Sequence, residues 1–595
     1  MSVLKALKSA TSLQDVALLL KFQPKSLSYI IYIKPKDTLY KEFEIPKKTG
    51  GTRKISAPCV QLGKLQTRLS HLLLTCVDEL HKERETREKR KIENSISHAF
   101  TKKKSIITNA VQHRKKRYVF NVDLENFFGT ISGPRVRGYF IKNRNFELLP
   151  NVATILTQIA CHKGILPQGS PASPVISNLI GHLLDIRLAE LAKKHGCTYT
   201  RYADDLTFST NKPTFPKEIG KPILEDASIW VAGYELERAI EDMDFTINSK
   251  KTRMQKGQSR QEVTGLTVNS IVNTKFEYRH AVRAMTHSLF KTGTFHRKIT
   301  TVKEGQKPQH ERVPGTIAEL NGMLNFIDML SSHNRTKNKY HILTEDEKKL
   351  EKSKDIESVL DGNEKIYRDF LFYKYFFASD IPTVLCEGKT DYVYLQAAIK
   401  SLIKRYPLLA TSNDRGKIEY KVRFVRFSNT TSRLFGLTGG SDQLNKFILK
   451  YEKLCSKYEC KGLKNPVIIL IDNDQGSQQI YSVINTQTKI KRDDNLDFYP
   501  FKKNLYIVAT PPIKGKQDTM IEHFFEKKVT DTILSGKIFS WSASYDKKKS
   551  YGKEYFSKYV VKKEHATINF NGFIPLLDRV VAAMNDYVEK NNSSL

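Results

Sequence analysis

The sequence predicts two folded parts in series, an α+β unit followed by an α/β unit with a mainly parallel sheet. Three stretches carry that prediction. Around Tyr202-Ala203-Asp204-Asp205, strand-like runs at 198–202 and 206–209 flank two adjacent acids, the pattern of an antiparallel hairpin with a charged tip. The uninterrupted apolar run Val467-Ile468-Ile469-Leu470-Ile471 instead suits the buried centre of a parallel sheet, with Asp472-Asn473-Asp474 at its carboxyl end. Between them, 331–363 is polar, charged and poor in apolar residues, as a linker would be. A chain of 595 residues exceeds what one core supports, in keeping with two or more domains.

The balance of charge points to a partner. With 98 Lys and Arg against 63 Asp and Glu, the net charge is +35, a self-repulsion that a polyanion would relieve. Nucleic acid fits better than a membrane, because no stretch offers about twenty consecutive apolar residues and the N-terminus lacks a signal-peptide core. The seven cysteines include no CxxC pair, and Cys455 and Cys460 are too far apart for a zinc knuckle; they read as reduced thiols of a cytoplasmic protein.

Taken in order, residues 1–40 read as a short helical preface with apolar Leu4, Val16, Leu19 and Leu20. Between Ile45 and Ile55, Gly50-Gly51 turns the chain between basic, strand-like flanks. Such a hairpin can bring Lys47 or Lys48 and Arg53 to one side, where a triphosphate would be clamped, although an ordinary exposed basic hairpin has the same pattern. Leu62, Leu65, Leu69, Leu72, Leu73, Val77 and Leu80 keep helical spacing and read as core. The run 118–123 is a strand that delivers Asp123 at its end, with Phe128 shortly after. Leu166-Pro167-Gln168-Gly169-Ser170-Pro171 is a loop leading into an apolar helix at 175–188, and Gly169, lacking a side chain, lets backbone approach a base pair closely. Asp204-Asp205 alone could be a solvated turn; with Asp123 the acids supply ligands for two divalent ions, which can activate a 3′-hydroxyl and stabilise a leaving pyrophosphate.

In that order, the basic hairpin, Asp123 with Phe128, the LPQGSP loop and the YADD box resemble the fingers and palm of reverse transcriptases. The resemblance implies an α+β right-hand polymerase of fingers, palm and thumb that uses dNTPs. It further implies that Asp123, Asp204 and Asp205 hold two Mg2+ (or Mn2+) ions and that Phe128 excludes a 2′-hydroxyl. Gln168 and Gly169 would flank the incoming base pair, and Arg53 would contact the triphosphate. Asn109-Ala110-Val111-Gln112-His113 and Val263-Thr264-Gly265 are similar to the NAxxH and VTG signatures of retron reverse transcriptases, and Asn248-Ser249-Lys250-Lys251-Thr252 to their NxxKT element, which places Lys251 near the triphosphate. Alone, NAxxH could be a capped helix with a core histidine, and VTG a strand end. The retron resemblance implies a cognate non-coding RNA, part of which is copied into single-stranded DNA (msDNA) that stays joined to it through a 2′-hydroxyl of a guanosine, and a role in antiphage defence. It also makes Asn109, His113, Val263, Thr264 and Gly265 candidates for RNA contact.

From 277 to 330 the chain reads helical and basic, as a thumb would, with Arg283, His287, Arg297 and Lys298 suited to an RNA backbone. The aromatic run 367–377 is too apolar to stay solvated and is expected to pack between the two halves. A strand at 383–386 then ends in Glu387-Gly388, with further strands expected at 421–427, 467–471 and 505–508. Glu387 and the Asp472/Asp474 pair would meet on one divalent cation at the carboxyl edge of that sheet. This segment resembles the TOPRIM domain of topoisomerases, primases and OLD-type nucleases, with Gly439-Gly440 as its central turn and Ile521-Glu522-His523 as an acidic helix. A metal-dependent nuclease with at least one ion is the implied activity, with Glu522 as a further ligand. Lys547-Lys548-Lys549 and a helix at 574–588 read as an appendage without recognisable chemistry.

The expected domains are therefore fingers and palm at 1–270, a basic helical thumb at 271–330, linker and aromatic helix at 331–380, an α/β TOPRIM domain at 381–530 and an appendage at 531–595. No membrane partner is expected, and a homo-oligomer is compatible with these features. Two other readings stay open: a non-retron (abortive-infection or intron-derived) reverse transcriptase, and an RNA-binding scaffold with an inactive TOPRIM domain.

Overall fold

The computed structural model describes residues 2–47, 51–88, 96–223, 226, 228–301, 309–338, 359–414, 416–516, 518–542 and 544–592. Two units divide the chain: Met1–Tyr278 with Lys298–Glu311, and Arg279–Arg297 with Arg312–Leu595.

The first unit opens with helices Val3–Lys8 and Leu13–Leu19, started by Ser2 and by a Ser12–Asp15 capping box. Glu79 accepts hydrogen bonds from Ser2 Oγ and from the N–H groups of Val3 and Leu4 at 2.7–3.0 Å, which satisfies the first helix's free donors and pins it to helix Val60–Glu88. That long helix buries Leu62, Leu65, Leu69, Leu72 and Leu73, the expected stripe, each side chain contributing about 1.5–3 kcal/mol of apolar burial. Strands Tyr40–Pro46 and Thr52–Pro58 pair antiparallel in the expected basic hairpin; Lys48 lies outside the described residues.

The centre of this unit is a four-stranded antiparallel sheet in the order Thr198–Tyr202, Asp205–Thr210, Tyr118–Asp123, Arg253–Lys256. Asp205–Thr210 is buried along nearly its whole length, so both faces of the sheet are covered there. Helix Ser173–Lys194 packs on Thr198–Tyr202 and is longer than the expected 175–188. Pro174 suits its first turn, and Lys193 and Lys194 complement its carboxyl end.

In the second unit a five-stranded sheet runs Arg423–Phe424, Thr383–Cys386, Val467–Ile471, Leu505–Ala509, Tyr499–Pro500. The first three pairings are parallel and only the last is antiparallel. Val467–Ile471 is buried at every position, which accounts for its unbroken apolar run. The strand expected at 421–427 shrinks to Arg423–Phe424, because Ser428 begins helix Asn429–Phe435 with its own capping box.

Two expectations need correcting. The stretch 277–330 is not continuously helical: helix Phe276–Thr292 stops at Gly293, whose φ of +76° is left-handed, and the β-branched run at 299–301 lies in a two-stranded sheet of His296–Thr301 and Gln309–Pro314. Helix Ile317–Asn338 follows, opened by reciprocal bonds between Thr316 and Glu319. The aromatic segment, helix Gly362–Phe372 continuing into a π-helical turn Tyr373–Phe377, puts its rings inside the second unit. Phe372 and Phe376 lie 5.1–6.1 Å from Phe447 and Phe376 6.1 Å from Phe435.

Among the described residues no helix is long and apolar enough to cross a membrane. All seven cysteines are free thiols.

Candidate active sites

The charged tip of the first unit's sheet is a two-residue turn, Ala203-Asp204, between paired Tyr202 and Asp205. Ala203 takes a left-handed φ of +58°, a strain of order 1 kcal/mol that its surroundings must hold in place. Arg201 does so: fully buried, it donates to the Ala203 carbonyl at 3.2 Å and forms a bidentate pair with buried Asp185 at 2.8 Å. Asp123 sits directly opposite Asp205 in the register, and Leu124 N–H donates to the Asp204 carbonyl at 3.0 Å. The three acids are thus brought to one edge of the sheet.

Their electrostatics are those of a site short of positive charge. Burial and then the charges of Asp204 and Asp123 push the Asp205 carboxyl up to about 6. Asp204 is raised by burial and by Asp123. Lys251 supplies part of the missing charge, donating to both Asp123 oxygens at 2.9 and 3.0 Å, and Arg53 lies close enough to act on Asp204. No three acids among the described residues close into a ready-made metal cage, at this site or elsewhere. The donor set nevertheless fits a divalent ion, since three carboxylates gathered at one edge, with Asp204 and Asp205 both raised by their neighbours, are what a cation relieves.

Around this edge, Gln168 and Gly169 pack on the strand that carries Arg53: Ser56 N–H donates to the Gln168 carbonyl at 2.8 Å. Gly169 has φ +118°, and a Cβ there would fall 2.7 Å from the Ser56 carbonyl oxygen, so only glycine fits. Phe128 is half-buried, with Phe127 at 5.5 Å and Phe100 at 6.5 Å. The Lys47 N–H closes the hairpin on the Gly51 carbonyl.

The two signature elements pack together beside this edge. Thr264 and Gly265 form a tight turn between Glu262–Val263 and Leu266–Thr267 with φ of +48° and +79°, the torsions a two-residue hairpin of this kind demands. Thr264 Oγ1 donates to the Ile106 carbonyl of helix Ile106–Gln112 at 3.3 Å. At the end of that helix His113 is wholly buried, bonded to Thr200 and Ser209 at 2.7 Å each. The expected RNA contact by Asn109, His113 and Val263 is therefore corrected, because all three are buried. His113 instead straps together the two strands that flank the Ala203-Asp204 turn, and the side-chain amide of Asn109 finds no protein partner among the described residues. Thr264 and Gly265 do line an open cleft of about 190 Å³ with Ile106, Asn121, Tyr202, Asp205 and Arg253. Arg283, His287 and Lys298 are exposed, and Arg297 pairs with Glu319 at 2.9 Å.

A second acidic centre lies at the carboxyl edge of the parallel sheet. Glu387 Oε2 accepts from the Asp472 N–H at 3.2 Å and from Ser477 Oγ at 3.4 Å, so these acids do converge. Asp472 Oδ1 accepts from the Ile521 N–H at 3.0 Å, which draws in the turn Ile521–Phe524 and buried Glu522. Asp474 points elsewhere, capping the next turn through Ser477 N–H at 3.2 Å, yet it still acts on Glu387. The Gly440 N–H reaches the Glu387 carbonyl at 3.2 Å.

Two members of this centre escape sequence reasoning. Asp391 is buried and raised to about 7, by burial and then by Glu522, while accepting the Gly388 N–H at 2.7 Å. Lys553 donates to Glu522 Oε2 at 3.0 Å and pairs with Oε1 at 2.9 Å, an ion contact that leaves the buried Oε1 without a hydrogen bond among the described residues. Asp391 had a readable signal, four residues after Glu387 across a glycine whose added Cβ would strike its Oδ1 at 2.4 Å. Lys553 had none.

Residues 45–268 match the family model described as Reverse transcriptase (RNA-dependent DNA polymerase), and they span the sheet, its acids and the basic hairpin. The first unit is therefore that of a reverse transcriptase. The chain is 31% identical to the Retron Mx65 reverse transcriptase of Myxococcus xanthus over 53% of this chain and 68% of that protein. It is also 31% identical to the Retron Ec86 reverse transcriptase of Escherichia coli over 47% of this chain and 78% of that one. The chain belongs to the retron reverse transcriptases. It spans about half, 48%, of the Retron Mx162 reverse transcriptase of Myxococcus xanthus, at 33% identity. Among solved structures it is similar to apo telomerase from Candida tropicalis at 14% identity and a TM-score of 0.26, covering 41% of this chain and 56% of that one, too loose an overlay to bear on the fold.

Proposed function

We propose that this reverse transcriptase copies a partner non-coding RNA into single-stranded DNA that remains joined to the RNA through a 2′-hydroxyl. The observation that carries the polymerase chemistry is the register of Asp123 against Asp205 beside the strained Ala203-Asp204 turn. Asp123, Asp204 and Asp205 would hold two Mg2+ or Mn2+ ions, which when bound supply polarisation of the attacking hydroxyl and charge neutralisation of the leaving pyrophosphate. The rest of the work falls to the chain's own groups. Lys251, Arg53 and the Lys47/Lys48 end of the hairpin neutralise the triphosphate; Phe128 closes the space beneath the sugar; Gln168 and Gly169 present backbone to the base pair. Packing of the NAxxH helix on the VTG turn supports the retron reading over an intron-derived one, and the exposed Arg283, His287 and Lys298 suit an RNA stem. In domain terms the reading is fingers and palm at 1–270, thumb at 271–330, linker and aromatic helix at 331–380, and a TOPRIM-type unit at 381–530 with an appendage at 531–595.

The second part of the reading is that the Glu387 centre is a metal-dependent, TOPRIM-type nuclease effector in antiphage defence. It is supported by the mainly parallel sheet and by the acids Glu387, Asp391, Asp472 and Glu522 sharing one edge. An RNA-binding scaffold is disfavoured because gathering four mutually repelling carboxylates at one edge, with Asp391 and Glu522 buried, serves no purely structural end.

Sequencing the nucleic acid that copurifies with the chain tests the first part: a single short RNA carrying branched DNA is expected, and unbranched or heterogeneous cDNA would exclude the retron reading. Asp204→Asn with Asp205→Asn should abolish DNA synthesis in a protein that still folds. For the second part, a Glu387→Ala chain should make DNA normally but fail to protect cells from phage; full protection would remove the effector role.

A further inference from the structure

Exposed tryptophan is uncommon on a solvated surface, and one of the chain's two tryptophans stands on the appendage to which the sequence assigned no chemistry. Trp541 is 40% exposed. It is held from below by Phe539, 5.1 Å away at 60°, which is buried and itself stacks on Phe556 at 4.5 Å. The chain around it is fixed too: Ile538–Phe539 pairs with Ser550–Tyr551, and the Ser540 N–H donates to the Tyr551 carbonyl at 2.9 Å. The indole is thus held in place by its neighbours while part of its surface stays open to solvent.

Its position matters more than its exposure. The His523 ring lies 5.2 Å from the Trp541 ring, and His523 is the neighbour of Glu522 in the short turn Ile521–Phe524. That turn has one residue facing inward to the acidic centre and the next facing outward to the indole. His523 Nδ1 accepts the Met520 N–H at 3.1 Å, which leaves Nε2–H without a protein acceptor among the described residues. Positive charge frames the pair. Burial first, then Lys516 and Lys553, hold His523 below its ordinary range, and the exposed run Lys547-Lys548-Lys549 leads into the strand Ser550–Tyr551 that fixes the platform.

We propose that Trp541 and His523 form a stacking platform for single-stranded nucleic acid that feeds the acidic centre around Glu387 and Glu522. The ligand class follows from the chemistry. A fixed, part-exposed indole can take the π-face of a nucleobase, and the nearby lysines can take the flanking phosphates. In a duplex the base faces are stacked on one another and cannot reach the ring, so the strand is single. Substrate is thereby delivered to the edge where Asp472 Oδ1 already holds the backbone of the same turn. The inference deepens the nuclease reading of the Glu387 centre and rests on it for the cleavage step, though not for binding itself.

Intrinsic fluorescence tests it, since Trp230→Phe leaves Trp541 as the only tryptophan. In the full-length Trp230→Phe chain, without divalent ions, oligothymidylate should quench Trp541 emission, and the affinity should fall steeply with added salt. Trp541→Ala should weaken binding of a labelled oligothymidylate by on the order of tenfold, while Trp541→Phe keeps most of it. An unchanged urea-unfolding transition in both variants certifies the fold of the unit that carries Trp541. Emission that ignores oligothymidylate, or equal affinity in Trp541→Ala, overturns the platform. Emission that changes with protein concentration in the absence of oligonucleotide also overturns it, because the ring would then be docking a second copy. A Glu387→Ala chain should still bind. If quenching occurs but no oligonucleotide is cut when Mg2+ is added, the platform stands and the nuclease reading falls; a silent Trp541 with cutting intact removes the platform and leaves the nuclease reading standing.

Discussion

His113 shows how one side chain can set the acid limit of a site it never touches chemically. Buried between two hydroxyls, it satisfies both ring nitrogens in the neutral form, donating to one and accepting from the other. Burial depresses its pKa from 6.5 to about 3, and that of His98 to about 4. For a depressed histidine the unfolded chain takes up protons first, so the stabilisation is full above pH 6.5 and is lost progressively as pH falls toward the folded value. Between pH 6.5 and 5, His113 alone accounts for about 2 kcal/mol of lost stability. His113→Gln should therefore be less stable than the native chain at neutral pH yet show a shallower loss toward pH 5, as read by urea unfolding. Arg201 and Asp185 obey a different rule. Their buried pair is stabilising only while both charges are present, so Asp185→Asn should cost about 3–5 kcal/mol and, by freeing the Ala203 turn, reduce DNA synthesis as well. Arg201→Lys, which loses the fork, should recover little of it.

At the scale of the element, the two glycine-bearing turns beside the acids differ in what they tolerate. A Cβ on Gly265 meets nothing within 4 Å, so Gly265→Ala should cost only the left-handed φ, about 1 kcal/mol. Gly169→Ala adds a collision with the Ser56 carbonyl to a φ of +118°, and it should pry the loop from the strand carrying Arg53. Primer extension should separate them, with near-native rates for Gly265→Ala and a severe loss for Gly169→Ala. Elements of this kind were legible in the sequence where pattern and environment agree. The apolar run at Val467–Ile471 and the hairpin at Asp204-Asp205 fell where their side chains required. Legibility failed where a local pattern had a non-local cause. The buried role of Arg201 has no mark in its strand pattern, because its partner, Asp185, lies on a helix that the sequence does not link to it. Lys553 is invisible because Glu522, which it neutralises, is 31 residues away in a stretch of weak periodicity. The hairpin after Thr292 was hidden by basic residues that look alike on a helix and on a strand.

At the scale of the whole molecule, the excess of 98 basic over 63 acidic side chains predicts how the chain meets its RNA. Phosphate contacts release condensed counterions, so RNA affinity measured by filter binding should drop on the order of a thousandfold between roughly 50 and 200 mM salt. A flat salt dependence would mean that the charge is not engaged by the RNA backbone. Within the two acidic centres Lys251 pairs with Asp123 and Lys553 with Glu522, which takes up little of this excess.

Those two lysines have a consequence for how the molecule is put together. Each is a built-in counterion on an acid that would otherwise stand bare after folding, and so lowers the electrostatic cost of drawing the acids together. An arriving divalent ion would then compete with a tethered ammonium, and loading would be an exchange of one cation for another. Loading would then be set by what the surrounding solution provides as well as by the fold.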